Sequence, residues 1–115
     1  MHELSIALGI VDMAVEKMEE LGEGRILAIH LKLGALSGLV PDALRSSFEL
    51  AREETLLANT ELVIEEIPVS AYCPSCDAER VVEFPELSCP NCNTPTPDIV
   101  RGREMEVVAL EIESP

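Results

Sequence analysis

The sequence predicts an α+β fold in which a small three-stranded sheet carries two helices and is interrupted by a separate cysteine-bearing insertion. Three observations support this prediction. Apolar residues recur at helical spacing near the N-terminus and again after Pro41, three other segments have the pattern of strands, and all 4 cysteines fall between residues 70 and 102. The length of 115 residues fits one globular domain with a small appendage.

The two helices are predicted from their apolar spacing and their ends. Between residues 4 and 21, apolar side chains recur every three or four positions, and Gly22 then ends the helix. Pro41 suits the first turn of the second helix because that position needs no backbone N–H. This second helix is predicted to fade by Thr55, and its apolar face carries Leu44, Phe48 and Ala51.

The first strand is predicted over residues 25–33, where apolar and polar side chains alternate. The alternation places Leu27 on the same buried side as Ile29. His30 falls on the opposite side together with Lys32, so we expect His30 to be a surface residue.

Two further strands are predicted later in the chain. Residues 62–67 are rich in β-branched side chains and are stopped by Pro68. Residues 104–112 also read as a strand, but the apolar positions change parity midway, since Val107 and Val108 belong to opposite sets. A β-bulge near Val107 would reconcile the two sets.

The composition and the N-terminal sequence indicate which partners and which cellular compartment to expect. The chain carries 22 acidic against 8 basic residues, a net charge of -14. Such a surface repels nucleic-acid phosphates and anionic lipid headgroups, so we expect neither nucleic acid nor a membrane as a partner. The N-terminus lacks a basic start and an apolar leader segment, and no apolar run is long enough to span a bilayer. We therefore expect a cytoplasmic protein.

The cysteines have the spacing C-x2-C-x12-C-x2-C, in which two turns can aim four thiolates at one tetrahedral Zn²⁺. The residue after each pair usually needs a positive φ, which Asp77 and Asn93 tolerate. A site closed by four sulfurs leaves no position for substrate, so we expect a structural metal. The predicted zinc ligands are Cys73, Cys76, Cys89 and Cys92.

Other uses of the cysteines remain open from the spacing alone. A rubredoxin-like iron site has the same ligands, and a redox dithiol pair or disulfides would use the same residues. Zinc ribbons often bind nucleic acid, but residues 71–100 contain five acidic residues and only one basic residue, Arg80. Protein recognition is therefore the better use of the insertion.

The N-terminus is a second candidate metal site. The α-amine of Met1, the following amide and the imidazole of His2 can form a nitrogen shell, which the Glu3 carboxylate or amide can complete. Late first-row divalent ions such as Ni²⁺ and Cu²⁺ favour such nitrogen-rich sets. The alternative is that His2 and Glu3 simply begin the first helix.

The sequence contains no recognisable catalytic constellation. No nucleophile motif, phosphate-binding glycine loop or dinucleotide fingerprint is present. Adjacent glutamates such as Glu65 and Glu66 point apart on a strand, so they do not form an acid/base pair. We do not expect an enzyme.

Four landmarks in order resemble the HypA/HybF family of nickel-insertion proteins for [NiFe]-hydrogenase maturation. They are MHELS at residues 1–5, LGALSG at residues 33–38, the two cysteine pairs, and GREM at residues 102–105. The resemblance covers the full length. It implies a nickel-binding α/β domain formed by residues 1–69 and 103–115, with a zinc-binding domain at residues 70–102.

The resemblance also implies roles and partners. His2 would be the indispensable nickel ligand with the terminal amine of Met1 and with Glu3, and the four cysteines would hold structural zinc. A partner GTPase would pass nickel along, and the precursor of the hydrogenase large subunit would receive it. One departure from the resemblance is Ala35, at a position where we expect Glu in many members of the family.

Two other functions remain as alternatives. The main one is a non-catalytic zinc-ribbon adaptor for protein interaction without nickel transfer, and a thiol redox enzyme comes third. The recipient in a nickel-transfer role could also be another nickel enzyme such as urease.

Overall fold

The computed structural model describes residues 2–114 and confirms the predicted α+β architecture. The molecule is elongated, with principal extents of 53 × 27 × 16 Å. No helix within residues 2–114 is both long and apolar enough to cross a membrane. The elements are α1 (Glu3–Leu21), β1 (Arg25–Gly34), α2 (Pro41–Ala51), β2 (Glu61–Ile67), β3 (Ser70–Cys73), β4 (Ala78–Val81), β5 (Ile99–Arg101) and β6 (Met105–Glu113).

The first sheet has the strand order β2-β1-β6 and packs with both helices. The central strand β1 is parallel to β2 and antiparallel to β6. The predicted ends of the helices are confirmed, because Gly22 adopts the left-handed conformation at φ 79° after α1 and Pro41 begins α2. The core between the layers comprises Ala7, Ile10, Val11, Ala14, Met18, Ile26, Ile29, Leu31, Leu33, Leu39, Leu44, Phe48, Leu57 and Leu62.

The prediction that Leu27 lies on the buried side of β1 is wrong. Between Ile26 and Ala28 the register with β6 shifts by one residue, which leaves Leu27 as a bulge. Leu27 is consequently 39% exposed, whereas Ala28 is only 3% exposed. A bulge adds one residue to a strand and so reverses the alternation beyond it.

The predicted bulge in the last strand is confirmed. His30 pairs with Ala109 and Leu31 pairs with Val107, so Val108 is the extra residue of β6. This insertion lets both Val107 and Leu110 pack against the core, although they are three positions apart.

The second sheet is small and antiparallel, with the order β4-β3-β5. It has its own hydrophobic cluster of three buried residues, Val69, Ala71 and Val82. Leu36, from the turn after β1, packs against this cluster. So small an apolar core needs a further source of stability, which the cysteines can supply through a metal.

The turn after β1 joins the two sheets. The Ala35 amide donates to the Ile67 carbonyl at 2.9 Å, and the Leu36 amide donates to the Gly102 carbonyl at 2.6 Å. The chain passes from the first sheet to the second after Ile67 and returns after Gly102, so both of these chain crossings are hydrogen-bonded to the same turn. Gly34 has no room for a side chain there, because a Cβ would lie 2.1 Å from the Gly102 carbonyl oxygen.

Candidate metal centres

The fold brings the four cysteines to one point beside the second sheet. Their sulfur atoms all lie within 4.8 Å of one another. The Cys73 and Cys92 sulfurs are 3.5 Å apart, those of Cys76 and Cys92 are 3.7 Å apart, and those of Cys76 and Cys89 are 4.0 Å apart. Within residues 2–114, no other group of three or more His, Cys, Asp or Glu side chains lies close enough together to share a metal ion.

The cluster fits a structural zinc ion. Zn–S bonds of about 2.3 Å in tetrahedral geometry require sulfurs about 3.8 Å apart, close to the distances observed. All four cysteines are free, and sulfurs 3.5 Å or more apart are not bonded as disulfides. Cys73 and Cys89 are buried and Cys92 is exposed, so the cluster lies at the surface of the small sheet.

Both cysteine turns have the predicted backbone. Asp77 and Asn93 adopt φ values of 51° and 62°, the left-handed conformation expected after each pair. In the first turn the Cys76 amide approaches the Cys73 sulfur at 3.4 Å. In the second, the Asn93 amide donates to the Cys89 carbonyl at 2.8 Å. Each turn therefore has a local hydrogen bond that supports its backbone.

The cysteines differ in acidity. The Asn91 amide group, followed by the Arg80 guanidinium, lowers the pKa of Cys76 to about 6. For Cys73 the Cys76 amide favours the thiolate, but burial and the neighbouring sulfurs outweigh it and raise the pKa to about 11. Four adjacent thiolates repel one another, so a central cation is what allows all four to ionise. Sequence reasoning missed Asn91 and Arg80 as neighbours of the sulfurs, since no motif marks them.

His2 lies exposed at the N-terminal end of α1. Its backbone is extended, with φ −92° and ψ 133°, and its carbonyl accepts the Ile6 amide at 3.3 Å. The imidazole does not cap the helix. The structure thus gives the His2 side chain no part in starting α1. Met1, the third predicted nickel ligand, lies outside the described residues.

Glu3 has a structural contact that the sequence did not suggest. Its Oε2 accepts the Val40 backbone N–H at 3.1 Å, which ties the start of α1 to the residue before α2. This hydrogen bond holds the pKa of Glu3 below its ordinary value. The two residues are 37 positions apart, so no local pattern could have revealed the contact. The structure therefore brings Glu3 beside His2 but holds its carboxylate toward α2.

His30 is not part of either candidate centre. It is half-buried on the central strand, and its Nε2 lies 3.0 Å from Glu111 Oε1. The expectation that His30 is a surface residue is partly right, since its side chain is 32% exposed and β6 supplies a carboxylate beside it.

Comparison with known proteins identifies the family. The family described as HypA, hydrogenase/urease nickel incorporation metallochaperone, matches residues 1–112. Hydrogenase maturation factor HypA of Chloroflexus aurantiacus is 54% identical over 112 residues, covering 96% of this chain and 98% of the relative. The Roseiflexus protein of the same name is 44% identical over 116 residues, with 98% and 93% covered.

The fold also matches solved structures. The solution structure of the Ni metallochaperone HypA from Helicobacter pylori superposes with a TM-score of 0.64 at 24% identity and covers 100% of both chains. A second solution structure of a HypA protein gives a TM-score of 0.70 at 23% identity. At these identities the structures support the fold, while the family match and the closer relatives support the membership. The chain therefore belongs to the HypA family of non-catalytic metallochaperones for nickel incorporation into hydrogenase and urease.

Proposed function

We propose that this chain binds Ni²⁺ at its N-terminus and delivers it to [NiFe]-hydrogenase during maturation. The proposed nickel ligands are the Met1 α-amine, the His2 imidazole and Glu3. The observation that carries the proposal is the His2 side chain, which is exposed and plays no part in capping α1, in a chain of a nickel-incorporating family.

An exposed site of this kind suits delivery. A partner can replace nickel ligands one at a time only if it can reach the metal, and His2 lies open to solvent. Glu3 accepts a hydrogen bond from the Val40 amide, which ties the start of α1 to the residue before α2, while His2 stays exposed. Because Cu²⁺ binds nitrogen sites more tightly than Ni²⁺, selectivity must come from docking and metal supply rather than from affinity.

The proposed zinc site, unlike the nickel site, is expected to retain its metal. Cys73, Cys76, Cys89 and Cys92 hold one Zn²⁺ that stabilises residues 70–102, and residues 1–69 with 103–115 carry the nickel site. The sulfur distances and the small apolar cluster support this division. With four sulfur ligands, zinc has no open position for cargo or substrate.

The proposed partners are a nickel-delivery GTPase and the precursor of the hydrogenase large subunit, in the cytoplasm. The net charge of -14 supports partners with basic surfaces and disfavours nucleic acid and anionic membranes. Urease is a second possible recipient, since the family covers both enzymes.

The decisive experiment measures nickel binding by calorimetry on untagged protein, with His2→Ala as the test and His30→Ala as the matched control. We expect His2→Ala to abolish tight nickel binding and His30→Ala to leave it unchanged, with zinc content equal in all three proteins. Loss of binding in both variants would point to a general effect of histidine removal. Unchanged binding in His2→Ala, with zinc retained, would leave the adaptor function instead.

A further comparison tests the α-amine. Adding one residue before Met1 converts the amine into an amide and moves His2 to the third position, where a different square-planar nickel set can form. We expect the extended protein to differ from the untagged one in affinity or in visible spectrum. If both properties match, the α-amine is not a ligand.

A further inference from the structure

Arg80 occupies an unusual position in the small sheet. In the β3–β4 ladder it pairs with Ala71, while Ala78 pairs with Cys73, and paired residues of antiparallel strands share one face. Arg80 therefore lies on the face that carries the Cys73 sulfur. Its Nε is buried and has no hydrogen-bond partner. A buried guanidinium nitrogen without a partner is costly, so its placement needs an explanation.

The neighbouring side chains explain the placement of Arg80. The thiolates of Cys76 and then of Cys89 raise the pKa of Arg80, which indicates that they are its neighbours. The only other basic residue in residues 70–102 is Arg101, which is exposed and bonded to Glu79 at 2.7 Å. Arg80 is thus the one cation of this segment that is directed at the cysteines rather than at a carboxylate.

A zinc ion with four thiolates has excess negative charge, since the thiolates outweigh the metal. Neutral donors relieve part of it. Asn91 Nδ2 donates to the Cys76 sulfur at 3.5 Å, and the Cys76 backbone amide donates to the Cys73 sulfur at 3.4 Å. None of these groups carries a charge, so they cannot balance the centre. In a chain with a net charge of -14, the surrounding surface does not balance it either.

We propose that Arg80 is a positioning residue for the zinc centre, whose guanidinium, with its Nε buried, balances the charge of the Cys76 and Cys89 thiolates and thereby slows release of the metal. This inference rests on the proposed zinc site. Drawing electron density from the thiolates weakens their attack by protons and electrophiles, which is how metal–thiolate bonds are opened. A protein that must release nickel yet retain zinc needs such a difference between its two sites.

The test uses full-length, untagged, zinc-loaded protein and measures zinc transfer to a chromophoric chelator. Arg80→Met keeps the length of the side chain but removes its charge and donors, and it also removes the unpartnered Nε. Because an interaction between opposite charges is stronger than one between neutral groups, we expect zinc release to become about tenfold faster. In Co²⁺-substituted protein, the thiolate-to-metal charge-transfer bands should move to lower energy, because the sulfurs become more electron-rich. Structural damage alone would not produce that shift of the charge-transfer bands.

Two further variants complete the design. Arg80→Lys retains the charge and should recover most of the slow release. Arg101→Met removes a cation from the same sheet but one that contacts Glu79, so it should release zinc at the wild-type rate. If the Arg80→Met protein holds no zinc at all, the Arg80→Lys protein provides the test. Slow zinc release from Arg80→Lys supports the charge argument, and an equal loss of zinc from Arg80→Lys overturns it.

The outcomes separate this inference from the proposed zinc site. Wild-type protein that contains no zinc overturns both. Zinc present but released by Arg80→Met as slowly as by wild type overturns only the role of Arg80. Equal acceleration in Arg80→Met and Arg101→Met also overturns it, since a general change of charge would then explain the effect.

Discussion

Replacing Gly34 with Ala should be among the most destabilising single changes in the chain. A Cβ at Gly34 would lie 2.1 Å from the Gly102 carbonyl oxygen, 2.2 Å from its carbonyl carbon and 2.6 Å from the Arg103 nitrogen. All three are backbone atoms, so no flexible side chain can move aside. The junction between the sheets must shift instead, at a cost of about 3 kcal/mol and a fall in Tm of about 10 °C.

Gly9→Ala is the matched control for this experiment. Gly9 lies within α1, and a Cβ there would have no neighbour within 4 Å. Alanine is the better helix former, so Gly9→Ala should stabilise the protein by about 0.5–1 kcal/mol. Chemical denaturation of the wild type and both variants would measure the two effects. A Gly34→Ala protein as stable as wild type would refute the steric argument, and so would a shift of the same sign in both variants.

Three other predictions concern the metals and the N-terminus. Cys76→Ser should remove zinc and abolish hydrogen-exchange protection in residues 70–102 while α1 and the first sheet stay protected, whereas Ser75→Ala should leave both intact. Lowering the pH from about 7.5 to 6 should weaken nickel binding and leave zinc bound, because amines and imidazoles take up protons in this range; an affinity independent of pH would point to carboxylate ligands. The third concerns Glu3, whose folded-state pKa is held below its ordinary value by the Val40 amide. Its stabilisation is therefore complete above the ordinary pKa of a glutamate and is lost as the pH falls through the folded-state pKa. Glu3→Gln should therefore be less stable than wild type at neutral pH and equally stable in strong acid, and denaturation curves showing the same difference at both pH values would contradict this.

Features set by neighbouring residues were predictable from the sequence. The left-handed conformations at Asp77 and Asn93 follow from the geometry of a cysteine turn, and the bulge at Val108 follows from the parity of apolar residues in one strand. Helix α1 likewise ends at Gly22 as its composition indicates. In each case the cause lies within a few residues of its effect.

Features set by distant partners were not predictable. Leu27 matches the alternation of its own strand, but its exposure results from the register with β6. The Glu3 contact with Val40 and the burial of the Arg80 Nε depend on how whole elements pack. The sequence alone contains the chemistry of these side chains but not the identity of their neighbours.

Because one turn contacts the chain where it leaves the first sheet and where it returns, we expect residues 70–102 to behave as an exchangeable cassette. The cassette begins and ends at adjacent points, since a Cβ at Gly102 would lie only 3.1 Å from the Val69 Cα. The entropy of closing a loop grows slowly with its length, so β6 can reach β1 whether the intervening segment is long, short or unfolded. Insertions, deletions and whole replacements within the cassette can therefore accumulate with little effect on the first sheet. We therefore expect the segment that carries the four cysteines to tolerate change more readily than the sheet and helices that position His2.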